Sequence, residues 1–316
     1  MLFSLAILLF TFPTVTAQTD LQANCTGNDR LYNGTSCYVM SGPTLTHYKA
    51  RLACNHILGY SGHLAHMRNA AGQAAVLELA NTYTGAPGDC YWMGMELINA
   101  SVATNTSTNW GNYYRNGTFV TPTYFAWDSG QPSTSTGYNR VAYCKTANKL
   151  YSRSPGDSYS SLCEYEEAMK QPVTDLEQKC AALGSSFQIS FVDGICYVLH
   201  PETKSYNDAK IACNDLSGYI GHLAHVSTLG QLYIASILRS AAGAGYVRIG
   251  IEQTNPASTD PTTGWYLTTP TSPSVLTTYL PWAASNPTAG KRTIAMAGGY
   301  PNSFNAVANT TLCSFL

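Results

Sequence analysis

The residues best suited to bind a metal ion are two histidine pairs with the same spacing. They read His63-Leu-Ala-His66 and His222-Leu-Ala-His225, each directly after a glycine. In a strand, residues i and i+3 point to opposite faces, so the two rings of a pair would not meet at one ion. We therefore interpret all four histidines as structural residues of strands and turns.

Acidic side chains are too scarce in the loop-rich parts of the chain for hydrolysis by paired carboxylates. Such carboxyl groups must converge in a cleft, about 5 to 9.5 Å apart. Asp128 and Asp157 are the only acids near one candidate loop, and no Asp or Glu follows Asp260. The run 59–62 is not a nucleophile elbow, because that motif needs Gly-x-Ser-x-Gly between a strand and a helix. The sequence therefore predicts no enzyme, and a secreted hydrolase is the least favoured hypothesis.

The histidine pairs belong to an internal repeat. Residues 54–67 and 213–226 are identical at nine of fourteen positions, and Trp127 aligns with Trp282. The chain is therefore predicted to be a duplicated domain. Its polar middle segment is interpreted as a linker. The predicted boundaries are 1–17 for a signal peptide, 18–165 for the first domain, 166–179 for the linker and 180–316 for the second domain.

Each copy is predicted to be α+β, with two helices followed by antiparallel sheets and a long loop region. Apolar residues recur at helical spacing in 46–57, 69–81, 205–216 and 228–240. Residues 90–163 and 246–313 contain short Tyr-, Thr- and Val-rich runs broken by Gly, Pro, Asn and Ser. This pattern favours strands joined by long loops.

The ten cysteines predict five disulfides and no free thiol. The repeat leaves Cys90 and Cys144 without counterparts, so these two are most simply bonded to each other. The remaining pairs are then Cys25–Cys37, Cys54–Cys163, Cys180–Cys196 and Cys213–Cys313. A zinc site made of cysteines is the alternative, but the chain contains no Cys-x-x-Cys.

The N-terminus and the cysteine content predict a secreted protein. Residues 1–17 are apolar and end with Val15 and Ala17 at the spacing of a signal peptidase site, so we expect cleavage after Ala17. No apolar run reaches the roughly 18 residues of a membrane helix, so no membrane insertion is expected. Acceptor triplets predict glycans on Asn33, Asn99, Asn105, Asn116 and Asn309.

The charge balance disfavours nucleic acid and lipid surfaces as partners. The chain has 17 Lys and Arg against 18 Asp and Glu, and 11% of its residues are charged. A typical soluble domain has about 25%. Binding to phosphate backbones or anionic lipid depends on an excess of Lys and Arg, which is absent here.

Several motifs resemble the C-type lectin-like domain family. Residues 92–95, Trp-Met-Gly-Met, are similar to its Trp-Ile-Gly-Leu core strand, and 127–132 are similar to its Trp-x-x-Gly-x-Pro segment. Cys163-Glu164 is similar to its closing Cys-Glu strand. The second copy departs from this pattern, with Arg248 at the tryptophan and Ser314 at the glutamate. The resemblance covers both copies and implies two tandem C-type lectin-like domains.

The resemblance also implies where a ligand would bind. Sugar-binding members hold a calcium ion with a Glu-Pro-Asn or Gln-Pro-Asp loop and a Trp-Asn-Asp strand. Here the loops read Gln131-Pro-Ser133 and Asn286-Pro-Thr288, and the strand position reads 150–152, Leu-Tyr-Ser. The resemblance implies a cis peptide before the loop proline. Because calcium needs carboxylate ligands, we expect no cofactor, and calcium in the first domain is kept only as an alternative.

We therefore predict a non-catalytic recognition protein whose partners are glycans, including microbial sugars in innate defence. A protein ligand bound without calcium is the alternative. Tyrosines crowd the first copy's loop region and suit sugar faces and protein contacts alike, whereas the tryptophans are interpreted as packing residues. The sequence does not predict an oligomeric state. The candidate ligand-binding residues are Gln131, Pro132, Ser133, Asn139, Tyr151 and Asp157.

Overall fold

A computed structural model describes residues 18–55, 59–99, 102, 104–214, 216–254, 263–269, 275–288, 290–297, 300–304 and 309–316. Residues 300–304 are described by their backbone. The predicted signal peptide at 1–17 lies outside the described residues.

Each half of the described chain contains three α-helices and nine strands. The N-terminal half consists of α1 (Asp20–Asn24), β1 (Arg30–Asn33), β2 (Ser36–Leu45), α2 (His47–Ala53), β3 (His63–Leu64), α3 (Ala70–Thr82), β4 (Cys90–Leu97), β5 (Trp110–Tyr113), β6 (Phe119–Val120), β7 (Arg140–Cys144), β8 (Lys149–Arg153) and β9 (Tyr159–Glu166). The C-terminal half consists of α4 (Asp175–Leu183), β10 (Gln188–Val192), β11 (Ile195–Lys204), α5 (Tyr206–Ala212), β12 (Gly221–Leu223), α6 (Leu229–Ala241), β13 (Val247–Gln253), β14 (Trp265–Leu267), β15 (Val275–Leu276), β16 (Thr293–Ala297), β17 (Tyr300–Phe304) and β18 (Asn309–Phe315). Short 3-10 helices cover Ser107–Asn109 and Glu167–Met169.

The two halves have sheets with the same strand order. The first sheet runs β1-β2-β9-β4-β5-β6, with β3 paired to β9 and β7 placed between β4 and β8. The second runs β10-β11-β18-β13-β14-β15, with β12 paired to β18 and β16 between β13 and β17. In both halves one pair is parallel, β4 with β9 and β13 with β18. The predicted α+β class is confirmed, and the repeat in the sequence is a repeat of topology.

The predicted helices form close to their expected positions. The Asn69 side chain accepts a hydrogen bond from the third residue of α3, and Thr228 caps α6 in the same way. Helices α2 and α5 end earlier than predicted, before Cys54 and Cys213. The Cys54 carbonyl accepts a hydrogen bond from Arg115 Nη1 at 2.6 Å instead of continuing the helix. Residues 56, 57 and 215 of the predicted spans lie outside the described residues.

Five disulfides join the pairs that the repeat predicts, and every cysteine is used. They are Cys25–Cys37, Cys54–Cys163, Cys90–Cys144, Cys180–Cys196 and Cys213–Cys313. The Cys54–Cys163 bond attaches the end of helix α2 to strand β9, the last strand of the first half. The Cys213–Cys313 bond attaches the end of α5 to β18, the last strand of the second half. A bond that closes a loop of about 100 residues stabilises the fold by roughly 4 to 5 kcal/mol in the chain-entropy account.

The polar segment predicted as a linker, 166–179, contains regular structure at both ends. Strand β9 continues to Glu166, and α4 already begins at Asp175, with Thr174 accepting from the Glu177 N–H. The capping pattern Thr-x-x-Glu was a readable signal for this helix. Helices α1 and α4, which open the two halves, were both missed because each is short.

Helix α6 packs against the N-terminal half. The Tyr233 ring stacks on Tyr113 with ring centroids 5.2 Å apart, and its hydroxyl donates to Glu96 at 2.6 Å. Arg115, which is 7% exposed, donates from Nε to the Phe191 carbonyl at 3.2 Å. The two halves are therefore joined by buried, directional contacts. In the described part of the chain, no helix combines the length and apolarity that a membrane crossing needs.

Candidate functional site

The predicted ligand loop is held against strand β8 by hydrogen bonds. The Gln131–Pro132 peptide is cis, as the resemblance implies, and so is the peptide before Pro287 in the second half. Gln131 Oε1 accepts from the Ser152 N–H at 2.9 Å and from its hydroxyl at 3.1 Å. The Ser133 N–H donates to the same hydroxyl at 2.8 Å. The structure thus brings Gln131 and Ser133 together around Ser152, which the sequence analysis did not select.

A buried tryptophan is connected to the predicted ligand loop by hydrogen bonds. The Trp110 indole N–H donates to the Thr104 carbonyl at 2.7 Å, and the Thr104 hydroxyl donates to the Ser133 carbonyl at 2.9 Å. Trp110 has no exposed surface. Because this chain of hydrogen bonds begins in the core and ends in the loop, the loop is preorganised.

Tyr151 and Arg153 lie on the outer face of β8. Burial alternates along this strand, with Leu150 and Ser152 facing inward. The Tyr151 hydroxyl donates to Asp128, and this bond lowers the pKa of the Asp128 carboxyl group. The Arg153 guanidinium lies 4.8 Å from the centre of the Tyr151 ring. The outer face therefore presents an aromatic ring, a cation and a carboxylate side by side.

The other predicted site residues lie at the margin of this face. Burial raises the pKa of Tyr159 at the start of β9, and the charges of Arg153 and Asp157 also act on this hydroxyl. Asn139 Oδ1 is buried without a hydrogen-bond partner in the described protein. Tyr138 is 36% exposed in the same loop. We call the set Gln131, Pro132, Ser133, Tyr138, Tyr151 and Arg153 the loop surface.

The loop surface does not offer the donors that a calcium ion takes. Gln131 Oε1 already accepts two hydrogen bonds, and the Asp128 carboxylate is bonded by a tyrosine. In the second half, the Asn286 side-chain amide donates a hydrogen bond to the Ala284 carbonyl at 3.3 Å. No Asp or Glu follows Asp260 in the sequence. Calcium takes roughly six to eight oxygens, several of them from carboxylates. The residues present therefore do not fit the calcium ion that the resemblance implies.

The structure separates the crowded aromatic residues into groups. Trp110 and Tyr143 are fully buried in the core of the first half, and Tyr113 packs between the halves. The tryptophans Trp92 and Trp265 are also fully buried, as expected of packing residues. Of the tyrosines in the loop region of the first half, Tyr138 and Tyr151 belong to the loop surface.

The histidines of the first pair lie side by side, so the prediction that they point apart was wrong. Their ring centroids are 4.3 Å apart. Strand β3 contains only His63 and Leu64, so the alternation of a strand does not extend to His66. Glu164 and Glu166 of β9 join the rings, and one ligand atom from each of these four residues lies within 4.8 Å of the others.

Arg68 occupies the centre of this histidine–glutamate cluster. Its Nη1 donates to Glu164 at 2.5 Å, and its Nη2 donates to Glu166 at 2.6 Å. Burial, together with the charges of His63 and Arg68, lowers the pKa of His66 well below its usual value, so its ring is neutral. Sequence reasoning missed the cluster, although two glutamates at alternate positions of the last strand were a readable signal.

The predicted glycan acceptors differ in accessibility. Asn33, Asn99 and Asn105 are exposed. Asn116 is half-buried. A Cβ atom added at Gly230 of α6 would lie 2.7 Å from the Asn116 carbonyl oxygen. Asn309 is 9% exposed at the start of β18. Asn309 is therefore the least accessible of the five acceptors, and glycosylation at all five stays a prediction.

Comparisons with known proteins place a family match in the first half. The family described as the lectin C-type domain matches residues 44–165. No curated protein sequence matches the chain significantly. Human lithostathine aligns at 22% identity over 48% of this chain and 98% of its own, with a TM-score of 0.36. The C-type lectin CEL-I from Cucumaria echinata aligns at 19% identity over 45% and 98%, with a TM-score of 0.35. A calcium-independent type II antifreeze protein aligns at 17% identity over 45% and 94%, with a TM-score of 0.34. Residues 44–165 thus match the lectin C-type domain family, and the second sheet repeats the strand order of the first.

Proposed function

We propose that this protein is a secreted, non-catalytic recognition protein that binds carbohydrate at the loop surface without calcium. The observation that carries the proposal is the pair of hydrogen bonds from Ser152 to Gln131 Oε1, at 2.9 and 3.1 Å. These bonds hold the cis-proline loop in place of the contacts that a metal ion would make. A loop already fixed by the protein does not need an ion to be ordered.

The chemistry of the loop surface suits sugars. Tyr138 offers an exposed ring face, and Arg153 offers several N–H donors beside the ring of Tyr151. Sugar hydroxyls need such donors and acceptors, and the apolar faces of pyranose rings stack on aromatic rings. Microbial surface glycans in a defence role are the ligands that we expect. The five disulfides support an extracellular location, because such bonds persist in oxidising compartments.

A glycan array tests this proposal with the full chain, with and without EDTA. We expect sugar binding that the chelator leaves unchanged and that Tyr138→Ala and Arg153→Ala weaken. Tyr246→Ala is the matched control, because this tyrosine is 44% exposed in the second half, away from the loop surface. Sugar binding abolished by EDTA would contradict calcium independence, and binding unchanged in both loop variants would contradict the site.

A protein ligand is the second candidate, and it is favoured by exposed apolar residues near the loop. Ile98 is 36% exposed and Val102 is 41% exposed, in the segment that leads to Thr104 under Ser133. Apolar side chains of this kind suit a protein interface better than a polar glycan. Two results together would favour this candidate. The glycan array would show no sugar binding, and a protein partner would bind the unmodified chain but not Ile98→Asp.

A further inference from the structure

We propose that His63, His66, Glu164 and Glu166 form a binding site for one divalent transition-metal ion, with Zn²⁺ the best match, and that Arg68 occupies this site in the metal-free protein. Zinc takes histidine nitrogens and Asp or Glu oxygens as ligands, and its structural sites are four-coordinate. The site is separate from the loop surface, and it does not depend on the proposed function.

Both histidines are oriented for a metal by backbone carbonyls. His63 Nδ1 lies 2.9 Å from the Leu64 carbonyl, and His66 Nε2 lies 3.1 Å from the Tyr113 carbonyl. Because a carbonyl only accepts, these nitrogens carry the protons of those bonds. The other nitrogens point into the cluster, with His63 Nε2 3.0 Å from Glu166 Oε1 and His66 Nδ1 3.1 Å from Arg68 Nη2. A metal ion would displace the proton that His63 Nε2 shares with Glu166. Metal-binding histidines are usually held in this way, by a hydrogen bond from the nitrogen that does not bind the ion.

The carboxylates are held in place as well. Glu164 has no exposed surface, and its Oε2 accepts from the His66 N–H at 2.9 Å, while the Ser36 hydroxyl donates to Oε1 at 2.8 Å. Glu166 has a 20% exposed side chain at the end of β9. The ring of Tyr114 covers both imidazoles edge-on, at 5.0 and 4.9 Å. The cluster is therefore rigid and shielded from water on that side.

Arg68 contacts three of the four proposed ligands, and the fourth, His63 Nε2, lies 3.0 Å from Glu166 Oε1. Its guanidinium contacts Glu164, Glu166 and, at 3.1 Å, His66 Nδ1. Its side chain is 35% exposed, so it can turn outward without crossing the core. The two carboxylates carry two negative charges, which one divalent ion balances when Arg68 leaves. Arg68 thus competes with the ion and lowers its affinity.

The second half supplies an internal control. His222 and His225 have the same carbonyl bonds, at 2.8 and 2.6 Å, and their rings are 4.1 Å apart. The positions that correspond to Glu164, Glu166 and Arg68 are Ser314, Leu316 and Ser227. This pair therefore has two donors instead of four, and we expect it not to bind the ion at comparable concentrations.

Calorimetric titration of the full chain with ZnCl₂ tests the proposal. We expect one ion per chain, a roughly 10- to 100-fold loss of affinity in Glu166→Gln, and no change in the control His222→Gln. Glu166 is chosen because its partial exposure keeps the risk of misfolding low. Arg68→Gln should bind zinc at least tenfold more tightly, and zinc should raise its melting temperature more than that of the unmodified chain.

The outcomes that would overturn the proposal are distinct. They are no saturable zinc binding by the unmodified chain, equal affinity in Glu166→Gln, or loss of binding in His222→Gln. If the melting temperature of Arg68→Gln did not respond to zinc, the role of Arg68 as the competing cation would be refuted. Circular dichroism of each variant separates a loss of binding from a loss of fold.

Discussion

Replacing Glu96 with Gln tests the charge balance of the buried contact between the halves. Glu96 is 2% exposed and lies 2.7 Å from Arg51, 3.2 Å from Arg140 and 2.6 Å from the Tyr233 hydroxyl. Burial by itself raises the pKa of Glu96, but the guanidinium groups of Arg140 and Arg51 outweigh burial and lower the pKa to about 2. The carboxylate is therefore charged throughout the physiological range.

The lowered pKa predicts how stability depends on pH. A carboxyl group whose pKa is lower in the folded state stabilises the fold above its unfolded value of 4.5, and this stabilisation is lost as the pH falls from there towards 2. The difference between the two pKa values, at about 1.4 kcal/mol per pH unit, corresponds to about 3 kcal/mol. We expect Glu96→Gln to be less stable than the unmodified chain by about this free energy at neutral pH. The difference should fall to about 0.4 kcal/mol at pH 2, where half of the Glu96 side chains are protonated in the folded state, and should vanish at lower pH.

Guanidinium chloride unfolding at several pH values between 7 and 2, followed by tryptophan fluorescence, measures this difference. Glu78→Gln on the exposed face of α3 is the matched control, because it removes an acid from the surface. The control should have the stability of the unmodified chain to within about 0.5 kcal/mol at each pH. A difference for Glu96→Gln that is the same at pH 7 and pH 2 would refute the reasoning.

Three further predictions concern stability. Tyr233→Phe removes a hydrogen bond to a buried carboxylate and should lower the free energy of unfolding by about 1.5 to 3 kcal/mol; an unchanged denaturation midpoint would contradict this. Asn69→Ala removes the cap of α3 and should cost about 1 kcal/mol, whereas Asn69→Asp should retain most of the stability, as urea titration can check. Replacing both Cys90 and Cys144 with Ala opens a loop with a sequence separation of 54 and should cost about 4 kcal/mol. A calorimetric melting temperature equal to that of the unmodified chain would show that this bond does not stabilise the fold.

Local patterns in the sequence were sufficient for much of the fold. The repeat predicted the duplication, and two cysteines without counterparts, Cys90 and Cys144, led to the complete disulfide pairing. Helical spacing predicted α3 and α6 to within one residue at each end, because an amphipathic helix is specified by its own side chains. Polarity alone did not reveal helix α4 at the end of the predicted linker, where Thr174 caps the helix.

The candidate sites were less predictable. Gln131 and Ser133 were selected, but their common partner Ser152 was not, because it lies on another strand. His63 and His66 were expected to point apart, because the sequence does not state that β3 ends at Leu64. The structure also showed that the predicted acceptor Asn309 is buried.

The sequence by itself determined the approximate positions of four helices, which cysteines pair and that one unit occurs twice. These properties depend on neighbouring residues or on a comparison of the two copies. The tertiary structure alone decided that Arg68 and two glutamates of β9 meet His63 and His66. It also decided that Tyr233 of the second half contacts Glu96 of the first half. Such contacts join residues far apart in the chain, and their geometry exists only after the strands have paired and the halves have packed.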